Sequence, residues 1–112
     1  MMKIYKFKNL KIGASKSFKT KINKNIIKKF ISLSGDLNKL HVQDGFARKY
    51  NFKKKVVHGM LLGSLYSKFI GMYLPGKYSL LVSMDINFNK PIYLNDTITI
   101  KGRVIDKSKA YK

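Results

Sequence analysis

The chain contains no cysteine. That excludes a disulfide framework, a thiolate zinc site and a cysteine nucleophile, and it fits the cytoplasm, the expected location. Acidic residues are scarce too: five Asp and Glu stand against 24 Lys and Arg, with only two His, for a net charge of +19. Two His and scattered acids offer no recognisable ligand spacing, so neither a metal nor a cofactor is expected. An uninterrupted apolar run of membrane length is also missing. The most apolar stretch, Val56 to Leu74, is broken by His58, Ser64 and Lys68. A charge at mid-span is costly in lipid, so no membrane insertion is expected. Met1 to Leu10 alternates apolar and basic residues and lacks the continuous apolar core of a signal peptide.

What is present is enough for one globular domain: 112 residues, 45% of them hydrophobic and 12% aromatic. A charge of +19 attracts nucleic acid, anionic membranes or acidic partners. The lysines, however, run through the whole sequence. Lys, Asn, Ile, Phe and Tyr, all abundant here, share codons rich in A and T, so a biased genome accounts for the excess. Nucleic-acid binding as the main function is set aside.

Lys3 to Phe7 reads as a short strand and Lys11 to Lys21 as a polar stretch with a turn at Gly13. Asn23 is a good helix N-cap, and Ile26, Ile27, Phe30, Ile31 and Leu33 follow at helical spacing to a stop at Gly35. Asp44 to Tyr50 suits one more short helix. Val56 to Leu74 reads as a long buried helix ended by Leu74-Pro75-Gly76, with Gly59, Gly63 and Gly71 allowing close approach of a sheet. Tyr78 to Asn89 and Thr97 to Val104 alternate as strands, with turns at Pro91 and Asn95-Asp96.

One acid and both His fall in a small window. In S-G-D-L-N-K-L-H, Asp36 precedes His41 with Asn38 between them, and V-V-H-G-M follows shortly. If the loop past Gly35 curls, the Asp36 carboxylate and the His41 imidazole can hold one water between them and move its proton. Spacing alone equally allows Asp36 to cap a turn and His41 to pack in the core. Gly59 opens the apolar helix, where free backbone N–H groups favour an oxyanion. His58 reads as a cap or packing residue, with a ligand or catalytic role as the alternative.

The segment F-I-S-L-S-G-D-L-N-K-L-H-V-Q-D-G-F-A, Phe30 to Ala47, resembles the signature of the MaoC-like (R)-specific enoyl-CoA hydratases. The similarity continues through V-H-G-M-L-L-G-S-L-Y-S, L-P-G-K and F-N-K-P-I-Y-L-N-D-T-I-T, from Asn23 to Asp106. It implies an α+β hotdog fold: a long central helix wrapped by a curved antiparallel sheet, here a single domain over 1–112, C-terminally shortened and lacking the last strands. It implies that Asp36 and His41 activate water, that the Gly59 amide polarises a thioester carbonyl, and that Asn38, His58, Met60 and Ser64 contact substrate, with Asn38 chiefly holding the loop. Lys39 stands where the family usually has Pro, and Gln43 where an acid is frequent, with Asp44 one place later.

The implied activity is that of a lyase: reversible hydration of a trans-2-enoyl thioester to the (R)-3-hydroxyacyl thioester. The carrier is either CoA or an acyl carrier protein, the chain a homodimer, and the setting fatty acid metabolism or a related pathway. The competing class is a non-catalytic hotdog subunit that binds acyl chains or assembles with a true hydratase. A thioesterase on the same fold is a third option.

Overall fold

A computed structural model describes residues 2–108. The chain divides into two compact units. One comprises residues up to Lys19, Ser64–Asp85 and the part from Thr99 on; the other comprises Thr20–Gly63 and Ile86–Ile98.

The second unit carries the sequence window singled out above. Its helix α1 spans Lys24–Ser34. Asn23 starts it as expected, its side-chain oxygen accepting from the Ile26 N–H at 2.9 Å. Ile26, Ile27, Phe30 and Ile31 form the half-buried face, whereas Leu33 is 85% exposed and lies off that face. Gly35 closes the helix at φ 73°, a left-handed conformation that costs a residue with a Cβ, and its N–H returns to the Ile31 carbonyl at 2.7 Å. Two short helices follow, α2 (Lys39–Val42) and α3 (Asp44–Lys49), the latter ending one residue before the expected Tyr50. Ile22 and Ala47 are fully buried in this unit.

Helix α4 runs over Gly59–Met72 and is divided between the units after Gly63. It begins three residues later than the apolar run, because Val56 and Val57 are held in extended backbone bonds to Leu40 and Ile92. A Cβ at Gly59 would lie 3.2 Å from the Phe88 ring, and one at Gly63 would lie 3.2 Å from Ile86. These two glycines thus serve close approach, while Gly71 has nothing within 4 Å and does not. Among the described residues no helix is long and apolar enough to cross a membrane.

In the first unit, Phe69 and Leu74 are buried and Phe18 stacks on Tyr73 at 5.0 Å. Strands β1 (Ser15–Lys21) and β2 (Thr97–Arg103) pair antiparallel in a two-stranded sheet. Thr97 to Val104 was expected to be a strand; Ser15–Lys21 was not. Its half-buried positions are Lys16, Phe18 and Thr20, only one of them apolar, so alternation was invisible. Two expected strands do not form. Lys3 to Phe7 makes one isolated bridge, Ile4 with Gly76, before a 3-10 turn at Phe7–Asn9. Lys3 is anchored beside that bridge by two bonds to distant residues, its N–H to the Met72 carbonyl and its own carbonyl from the Lys77 N–H, and Pro75 has no N–H to extend a ladder. Tyr78 to Asn89 alternates as a strand should, yet no described strand pairs with it, and Leu80 and Val82 are 86% and 84% exposed.

Candidate active site

The loop between α1 and α2 is wound by its own side chains. The Asp36 N–H donates to Ser34 Oγ at 3.2 Å, the Asn38 N–H to Asp36 Oδ1 at 3.1 Å, and the Leu40 N–H to Asn38 Oδ1 at 3.0 Å. Each polar residue satisfies the backbone two positions on, the local chemistry for which Ser, Asp and Asn are suited. Asn38 is therefore the N-cap of α2. Asp36 is exposed, and one of its oxygens already serves the loop.

His41 sits on α2, half-buried. Its Nδ1 lies 2.7 Å from the Val56 carbonyl oxygen. A carbonyl only accepts, so Nδ1 carries the proton and Nε2 is left as the base. Val56 is itself positioned: its N–H donates to the Leu40 carbonyl at 3.0 Å, and the Lys55 N–H next to it donates to Asp44 Oδ1 at 2.9 Å. That N–H, first among the causes, holds the Asp44 carboxyl below its ordinary range; desolvation opposes it, and the charges of Lys55, Arg48 and Lys54 add to the lowering.

His58 immediately precedes α4 and is 1% exposed. Its Nε2 lies 3.1 Å from the Asp36 carbonyl oxygen, and its ring stacks on that of His41 with centroids 4.1 Å apart and planes 25° off parallel. Phe30 packs against it at 5.0 Å. Its Nδ1 is buried without a partner.

Asp36, His41 and His58 each place one ligating atom within 4.8 Å of the others. The sequence window brings Asp36 and His41 together, while the joining of His58 to them has no signature in the spacing. Zn–N bonds near 2.0 Å put tetrahedral ligand atoms roughly 3.3 Å apart, and near-parallel stacked imidazoles send their in-plane lone pairs side by side. A water suits the gap better, since one water reaches two atoms up to about 5.6 Å apart with bonds near 2.8 Å.

A cavity of about 410 Å³ opens beside the cluster, lined by His41, Gly59, Leu62, Phe88, Pro91 and Ile92 among others, with mostly apolar walls. The Gly59 amide, first in α4, finds no hydrogen-bond acceptor among the described residues. Asp36 does not line this cavity. A second groove of about 320 Å³ shares His41 and is edged by Lys24, Lys28 and Lys55. Of the other expected substrate contacts, Met60 is 62% exposed and lines neither space, and Ser64 belongs to the first unit. Sequence reasoning missed the Val56 carbonyl, which has no residue signature, and the use of the His58 ring; the adjacency V-V-H-G was the available signal.

The family model described as MaoC like domain matches residues 8–112. The chain is 33% identical over 96 residues to an (R)-specific enoyl-CoA hydratase of Aeromonas caviae, covering 86% of this chain and 72% of that one. It is 27% identical to a 3-hydroxybutyryl-CoA dehydratase of Methylorubrum extorquens, covering 94% and 67%. Among solved structures, the (R)-hydratase of A. caviae superposes with a TM-score of 0.83 at 32% identity, covering 89% of this chain and 76% of the other. A protein of Archaeoglobus fulgidus gives 0.84 at 30% identity, covering 97% and 68%. The chain belongs to the MaoC-like domain family, with an α+β hotdog fold.

Proposed function

We propose that this protein catalyses reversible addition of water to a trans-2-enoyl thioester, giving the (R)-3-hydroxyacyl thioester. The observation that carries the reading is that Asp36 places a carboxylate oxygen within 4.8 Å of a His41 nitrogen, and that His41 lines an apolar cavity together with Gly59, whose amide is unused among the described residues. The acyl chain takes the cavity. A water donates one hydrogen to Asp36 and the other to His41. As its oxygen bonds to C3, one acceptor takes a proton, and the electron pair moves through C2 to the thioester oxygen. The Gly59 N–H holds that oxygen at the helix terminus. The enolate then collapses, C2 takes up the proton, and the bases are restored. Dehydration is the reverse.

The anionic carrier, CoA or an acyl carrier protein, is drawn by the lysines edging the second groove. The working unit is a homodimer in the cytoplasm. The exposed apolar residues Leu80, Val82 and Phe88, in a segment without a strand partner among the described residues, support the dimer. The test of the reaction is hydration of crotonyl-CoA by purified protein, followed as loss of the conjugated thioester absorbance. Turnover above the uncatalysed rate is expected; none with either CoA or carrier-protein thioesters would overturn the reading.

A further inference from the structure

We propose that His58 is a positioning residue that holds Asp36 and His41 in register with Gly59; this rests on the hydration reading above. Two hydrogen bonds and one ring contact meet at this one residue. Its Nε2–H donates to the Asp36 carbonyl at 3.1 Å, across 22 positions of sequence. Its ring face supports the His41 imidazole at 4.1 Å. Its own carbonyl accepts from the Leu61 N–H at 3.1 Å in the first turn of α4, so its backbone fixes the head of the helix at Gly59.

The chemistry of the partner fixes the tautomer. A carbonyl cannot donate, so Nε2 carries a proton, and in the neutral ring Nδ1 is then a bare lone pair. That nitrogen is buried and unpartnered, in a side chain 1% exposed. An unsatisfied buried acceptor is a cost that a packing residue would shed by being Phe or Leu. Here the cost comes with a ring that ties the Asp36 backbone to the chain just before Gly59 and α4. The ring has no surface to offer substrate, so its effect on the reaction runs through the placement of Asp36 and His41. Misplacement of reacting groups by about 1 Å can cost roughly 10²-fold in rate.

Two substitutions separate the roles. His58→Phe keeps a ring to stack on His41 and removes the donor. His58→Gln removes the ring and keeps an N–H donor of similar reach. The proposal expects His58→Phe to lower kcat by about 10²-fold with KM little changed, and His58→Gln to recover much of that loss. Wild-type kcat in His58→Phe, or equal losses in both variants, would overturn it. Independently of activity, imidazole ¹⁵N spectra of the wild-type protein should show His58 neutral with the proton on Nε2. A cationic His58, or one protonated on Nδ1 alone, would overturn the proposal even if neither variant folds. Should the wild-type protein turn over no enoyl thioester, the hydration reading fails and the spectrum alone decides the placement of His58.

Discussion

The Ser34–His41 loop and the Tyr78–Asn89 segment are opposites. The loop is polar and exposed, yet its backbone is tied at every second residue by Ser34, Asp36 and Asn38. The segment is apolar and alternating, yet Leu80, Val82 and Phe88 stand 86%, 84% and 56% exposed, with no paired strand among the described residues. The loop carries its own hydrogen-bond partners in its sequence, and so closes by itself. A strand borrows its partners from a neighbour, so a strand signal is a promise that only a second strand can keep.

The largest effect that would break this comparison lies in the loop. Asp36→Asn keeps a side-chain oxygen to accept from Asn38 N–H but loses the base, so turnover should fall about 10² to 10⁴-fold with the circular dichroism spectrum unchanged. His41→Ala should match it. Activity close to wild type in Asp36→Asn would remove Asp36 from the mechanism.

The next effect lies in the segment. Leu80→Lys with Val82→Lys adds charge where the proposed homodimer buries apolar surface. Each such side chain contributes roughly 1.5–3 kcal/mol when fully buried. Sedimentation should show a shift to monomer at micromolar concentration. An unchanged mass would place any dimer contact elsewhere.

A smaller effect is expected at the second groove. Replacing Lys24, Lys28 and Lys55 together by Gln should raise KM for crotonyl-CoA several-fold at low salt and little at high salt, because exposed charges are screened beyond about 8–10 Å near physiological ionic strength. A thioester lacking the nucleotide should be indifferent. Loss of this contrast would detach the groove from the carrier.

Smaller still is the acid response of Asp44, which holds the Lys55 N–H from α3. Its folded carboxyl titrates below the 3.8 of a free side chain. The stability it contributes is therefore present above that value and is lost as pH falls through its lowered folded pKa. Thermal melts of Asp44→Asn should be lower than wild type at neutral pH and converge with it in acid. Parallel melting curves at every pH would show the Lys55 N–H bond to be without weight.

The same contrast explains what the sequence disclosed. Helix α1 was legible at both ends because Asn23 and Gly35 act on their own neighbours. The Asp36–Asn38 turn was legible for the same reason. β1 was not, since two of its three half-buried side chains are Lys16 and Thr20. The gathering of Asp36, His41 and His58 was half legible: the loop placed the first two, while the third arrives across 22 residues by a contact with a backbone carbonyl that has no sequence signature.

One feature of the loop bears on Lys39, where the resemblance to the family leads one to expect Pro. Lys39 is the first residue of α2, and its N–H serves no acceptor among the described residues. Asn38 before it sits at ψ 134°, a conformation that a following proline favours. The native backbone is thus already shaped for the ring. What lysine changes is the freedom of the disordered chain, which has more conformations to give up on folding. Lys39→Pro should accordingly stabilise the protein by about 0.4–1 kcal/mol in urea titrations, with turnover unaltered. A rigid loop here is a property of the hydrogen bonds that wind it, and proline would only lower the entropy lost in reaching it.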